Sequence, residues 1–129
     1  MDFTKLGGLI PAVVQDMATR DVLMVGFMNE DAYARTVASG YATFYSRSRG
    51  TLWMKGETSG NRLRVERMSI DCDNDTLLLQ VTCEGDGVAC HTGARSCFGS
   101  IWEPTSGAGP WDPANEEARR GAGAPAGEK

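Results

Sequence analysis

Four cysteines, a single histidine and a run of alternating carboxylates carry most of the chemistry open to this chain. Cys90 and Cys97 lie seven residues apart in CHTGARSC, and His91 directly follows the first thiol. In a straight helix that spacing would hold the Cα atoms about 10.5 Å apart. Two thiolates on one zinc ion lie about 2.3 Å from it, so a shared metal requires the segment to fold back. Gly93, in its middle, permits such a turn. The competing reading is a pair of buried free thiols, because cysteine is often a core residue, and spacing alone does not separate the two. Cys72 and Cys83 are the candidates for a third ligand. Neither forms a Cys-x-x-Cys knuckle, so a zinc finger or ribbon is not signalled. A lone histidine is usually unremarkable. Beside a metal site it becomes a general acid or base, because its pKa of about 6.5 lies near neutrality.

The stretch DCDND places Asp71, Asp73 and Asp75 around Cys72 and Asn74. If it is extended, the three carboxylates share one face and the thiol points the other way. Hard oxygen ligands for magnesium and a soft thiolate for zinc would then sit on opposite sides. A solvated acidic turn is the plain alternative. An EF-hand fails, because Thr76 stands where the loop glycine belongs and Thr82 where the bidentate glutamate belongs. YSRSRG offers Arg47 and Arg49, also on one face if extended, and arginine suits bidentate phosphate contacts. WMKGETSGN gathers Lys55, Glu57, Ser59 and Asn61 around two glycines. Each of these, taken singly, reads better as an ordinary polar turn.

The elements that must position these groups are short. LIPAVVQD and DVLMVGFMN read as strands around a turn at MATRD. NEDAYARTVASG predicts a helix capped by Asn29, with Glu30 and Asp31 at its positive end and Gly40 after its last turn. YATFYSRS and TLWMKGE read as strands, the first on its aromatic and β-branched content. LRVERMSID alternates Leu63, Val65 and Met68 or Ile70 with polar residues, imperfectly. TLLLQVTC is a near-continuous apolar run, which predicts a central strand. EGDGVACHTGARSCFG is glycine-rich and reads as irregular.

The 129 residues suggest one domain, over 1–104, followed by a tail. Residues 105–129 hold 14 Gly, Ala or Pro out of 25, a composition that predicts disorder apart from a short helix around PANEEARR. No apolar run approaches the roughly 18 residues of a membrane span. The first residues lack the basic and apolar regions of a secretory signal, so a cytoplasmic, reducing compartment and free thiols are expected. A net charge of −4 argues against a general nucleic-acid binder, which needs a basic face.

Taken together, SRSRGTLWMKGETSGN, DCDNDTLLLQV and ACHTGARSCF resemble phosphoribosyl-AMP cyclohydrolase, a ring-opening enzyme family of histidine biosynthesis, from about Leu9 to Phe98. The order of three separate motifs makes the resemblance specific. It implies an α+β, mainly β fold: a small barrel-like β domain with one or two short helices, in an intertwined homodimer. It assigns Cys72, Cys90 and Cys97 to zinc, shared between the chains, and Asp71, Asp73 and Asp75 to magnesium. The substrate would be the nucleotide phosphoribosyl-AMP, its phosphates met by Arg47, Arg49 and Lys55, with Glu57, Ser59 and Asn61 beside them and His91 moving protons. No fused pyrophosphohydrolase segment is seen, so a stand-alone enzyme is expected. One departure stands out. VTCEGDGVACH is longer than the family's usual link and puts Cys83 where glutamine is common, so Cys83 is left out of the site. A non-catalytic zinc-stabilised module using all four cysteines is the runner-up. A base deaminase would want a Pro-Cys-x-x-Cys segment and a His/Cys-x-Glu motif, and both are missing.

Overall fold

The computed structural model describes residues 1–101, 103 and 104. Its elements are β1 (Ile10–Asp16), β2 (Val22–Met28), α1 (Glu30–Ser39), β3 (Thr43–Ser46), β4 (Thr51–Met54), β5 (Leu63–Ile70) and β6 (Leu77–Cys83). Each falls within a stretch predicted for it. The proposed tail, with its short helix, lies outside the described residues.

β1 buries alternate residues, Ile10, Ala12 and Val14, as a period of two requires. It runs antiparallel to β2 and parallel to β6, which in turn pairs antiparallel with β5. The sheet order is β2-β1-β6-β5, so the apolar run TLLLQVTC is indeed a strand laddered on both sides. A register shift between Val65 and Arg67 explains why the alternation in β5 is imperfect. Helix α1 begins as predicted: the Asn29 Oδ1 accepts from the Ala32 N–H at 2.8 Å. It ends at Gly40, whose φ of 80° lets its N–H reach the Thr36 carbonyl. The buried Thr36 hydroxyl accepts from the Thr43 N–H at 3.0 Å and ties the helix to β3.

β3 and β4 form a separate hairpin. It packs on β2 through Phe44, which lies over Gly26 with a fully buried ring. The result is an open mixed sheet with a two-stranded flap, in place of the closed barrel-like domain expected. Closure would need a full ladder between the hairpin and the sheet edges. Residues 40–42 reach β5 through two backbone bonds, Ala42 N–H to Leu63 O and Val65 N–H to Gly40 O, and go no further. The core lies between the inner sheet face, α1 and the hairpin, with Leu23, Met24, Met28, Leu63, Leu79 and Val81 at its centre.

Candidate active site

The cysteine loop folds back as a shared metal would demand. Gly93 takes φ 90°, its N–H bonds the Cys90 carbonyl, and Ala89 and Cys90 pair with Arg95 and Ala94 across the turn. The loop is then pinned along β2. The Cys97 N–H donates to Leu23 O at 2.7 Å, and the Ser96 hydroxyl to Val22 O at 2.8 Å. Arg95 reaches the β1–β2 turn, meeting Asp21 at 2.6 Å and Asp16 at 3.1 Å. Nothing in the sequence marked Arg95 as this anchor. Cys90 is buried and Cys97 half-buried, while His91 beside them is exposed.

Facing this loop is the turn that follows β4. It closes on itself through Gly56, where a Cβ would strike the Asn61–Arg62 peptide. Lys55, Ser59, Asn61, Asp86, Cys90 and His91 line one cavity of about 290 Å³. Five of these six were candidates in the sequence. Asp86 was missed; its one signal is that it lies in the lengthened link after β6. Burial pushes the Lys55 ammonium pKa down, opposed by the nearby thiols of Cys97, Cys90 and Cys83. Lys55 therefore stands at the thiol end of the hairpin. Arg47 and Arg49 occupy the tight turn at its other end, since Ser46 pairs with Thr51 and Thr43 with Met54. They do not share a strand face, and the Arg47 guanidinium lies 4.0 Å over the Phe27 ring. Glu57 lines a different groove of about 400 Å³ with Arg35 and Trp53.

DCDND is not extended. It is the β5–β6 turn, closed by the Asp71 N–H to Thr76 O bond, with Asn74 at φ 61°. The Asp71 carboxylate accepts from the Asp75 and Thr76 N–H groups. These bonds, the one from Asp75 first, hold its pKa below the usual carboxylate value. Asp75 pairs with Lys5 at 3.1 Å. The opposite-face arrangement imagined for a strand is thus replaced by an exposed turn in which Asp71 is a backbone staple. Cys72 is exposed there, in the turn ahead of β6, whereas Cys83 ends that strand and the cysteine loop follows it. Seven residues of strand span about 20 Å. Within one chain Cys72 is therefore far from Cys90. Among the described residues no three His, Cys, Asp or Glu side chains stand close enough to hold a metal ion, and no disulfide joins any of the four cysteines.

One cavity thus brings together an imidazole, a thiol and a partly desolvated ammonium. A family model for phosphoribosyl-AMP cyclohydrolase matches residues 24–99. A phosphoribosyl-AMP cyclohydrolase from Desulforapulum autotrophicum is 57% identical over 98 residues, covering 76% of this chain and 78% of that one. One from Desulfatibacillum aliphaticivorans is 52% identical over 103 residues, covering 80% and 82%. The histidine biosynthesis bifunctional protein HisIE of Bacteroides thetaiotaomicron is 54% identical over 99 residues, 77% of this chain but 48% of that protein. This chain belongs to the phosphoribosyl-AMP cyclohydrolase family, enzymes of histidine biosynthesis. Among the described residues no helix is long and apolar enough to cross a membrane.

Proposed function

We propose that this chain opens the adenine ring of phosphoribosyl-AMP by hydrolysis of the bond between ring nitrogen 1 and carbon 6, in the cytoplasm, as a zinc-dependent homodimer. The observation that carries this is the cavity joining Cys90 and His91 to Lys55, Ser59 and Asn61, in a chain of this family. A substituent on nitrogen 1 leaves carbon 6 electron-poor. Addition of a water oxygen there gives a tetrahedral carbon. The bond to nitrogen 1 then breaks, and its electron pair stays on that nitrogen, which takes a proton. His91 is the group placed to receive the water's proton and return it to the leaving nitrogen. Lys55, partly stripped of water, faces the charge that develops on the substrate. Ser59 and Asn61 orient the base. Arg47 and Arg49, at the far end of the hairpin, would meet a phosphate.

The donor set fits zinc if two copies of the chain contribute. Cys90 and Cys97 present sulfur from one folded-back loop, and Cys72, remote in its own chain, supplies the third thiolate from a partner. Zinc bound there would bring the pKa of a coordinated water toward neutrality. Magnesium, if held by Asp71, Asp73 and Asp75, must draw the carboxylates together and displace Lys5 from Asp75; they do not converge in the single chain. A non-catalytic module closing four thiols around one ion is disfavoured, because burial, with Asp16 nearby, pushes the Cys83 thiol pKa up and away from the thiolate form.

The test is to incubate the purified, zinc-loaded protein with phosphoribosyl-AMP and follow ultraviolet absorbance for ring opening. Turnover in the wild type and its loss by about 10²–10⁴-fold in a zinc-retaining His91→Ala variant are expected. An inactive, folded, zinc-loaded wild type would sink the reading.

A further inference from the structure

The proposed reaction leaves one group in the cavity without a task. Asp86, an exposed residue, lines the cavity together with His91 and Cys90. Among the described residues no hydrogen bond or ion pair engages its carboxylate. Its backbone, by contrast, is fixed. The Asp86 N–H donates to Asn61 Oδ1 at 2.8 Å, and the Glu84 N–H to Arg62 O at 2.8 Å. Gly85 between them has φ 69°, and a Cβ there would collide with Asn61 Oδ1. The glycine therefore lets the link dock flush against the turn after β4, and Asn61 acts as the latch.

We propose that Asp86 is a specificity-determining residue whose carboxylate accepts a hydrogen bond from the exocyclic amino group on the substrate's adenine ring. This rests on the ring-opening reading above. A carboxylate repels phosphate, so the phosphates must lie away from this wall. A volume of about 290 Å³ is at the low end for small-molecule sites and suits a heterocycle. The base thus enters here. His91 and Cys90 mark the place of carbon 6, and the amino nitrogen is one bond from it. Substitution at nitrogen 1 draws electrons from the ring and makes those N–H groups better donors, suited to an anionic acceptor. The amino group survives the reaction: water oxygen becomes the new carbonyl oxygen, nitrogen 1 leaves, and the amino nitrogen remains in the carboxamide. An interaction kept in substrate and transition state alike acts on KM, with kcat largely preserved.

The prediction is checked by equilibrium binding of AMP and of IMP to the zinc-loaded protein, alongside kinetics with phosphoribosyl-AMP. IMP carries an acceptor oxygen where AMP carries the amino donor. The wild type should prefer AMP by roughly 10–100-fold, as for a hydrogen bond to a charged group. Asp86→Ala should bring that ratio near one, raise KM by a similar factor and keep kcat and zinc. Asp86→Asn, whose amide can donate as well as accept, should bind IMP better than Asp86→Ala does. Gly85→Ala should reproduce the lost preference without adding to it in the double variant. A wild type that does not distinguish AMP from IMP, or an Asp86→Ala chain that still does, overturns the assignment. Absence of wild-type turnover would instead strike the ring-opening reading.

Discussion

At the residue scale the four thiols divide by environment. Cys83 ends β6 against the core, and burial, with Asp16 nearby, pushes its thiol pKa up, which makes it a poor thiolate donor. Cys90 and Cys97 sit on the pinned loop. Single Cys→Ser variants should therefore lose zinc at positions 72, 90 and 97 and keep it at 83, measured as zinc per chain. Equal loss in Cys83→Ser would refute the division. Arg95, the anchor of that loop, pairs with a carboxylate that titrates, Asp16. Backbone bonds from Thr19 and Ala18, and the charge of Arg95, hold Asp16 below the usual carboxylate pKa. A depressed folded-state pKa contributes stability above the unfolded value of about 3.9 and loses it as pH falls through the folded value. The melting temperature should then decline below about pH 4, and less steeply in Asp16→Asn. Superimposable profiles for the two proteins would show that Asp16 contributes nothing.

At the element scale the hairpin depends on one close approach. A Cβ on Gly26 would lie 2.5 Å from Cδ1 of the buried Phe44 ring. The ring has no free side to move to, because it also packs on Trp53 with centroids 5.2 Å apart. Gly26→Ala should cost about 1–3 kcal/mol through overpacking, read by chemical denaturation, and Gly26→Ala with Phe44→Leu should recover part of it. No recovery in the pair would mean the cost arises elsewhere. The hairpin carries Lys55 at its open end, so the single variant should also weaken substrate binding before the fold is lost.

At the scale of the whole molecule, β6 bears on the proposed assembly. It separates Cys72 from the cysteine loop by about 20 Å, more than one zinc ion can bridge. In the proposed zinc site a second copy would supply the missing thiolate, and metal binding would then be coupled to assembly. Inactive Cys72→Ser and Cys90→Ser chains, unfolded and refolded together with zinc, should regain up to about a quarter of wild-type activity, since random pairing makes half the dimers mixed with one intact site each. If mixed dimers are present by mass and activity stays absent, the site is not shared.

Local sequence determined the elements themselves. β1, β2, α1 and β6 were legible because hydrophobic period, an Asn cap and a Gly stop act over a few residues. It also determined the chemistry available, since CHTGARSC with Gly93 permitted a folded-back pair of thiols without requiring it. Three things were decided only in space. DCDND became a turn because Asp71 bonds the N–H groups of Asp75 and Thr76, a closure that competes with an extended strand start and cannot be ranked from residue types. The sheet stayed open because residues 40–42 bridge β5 through just two bonds, a matter of where α1 sets the chain down. Asp86 joined the cavity because Gly85 and Asn61 lock two loops that lie some twenty-five residues apart in the chain, and such a contact has no period or spacing to announce it.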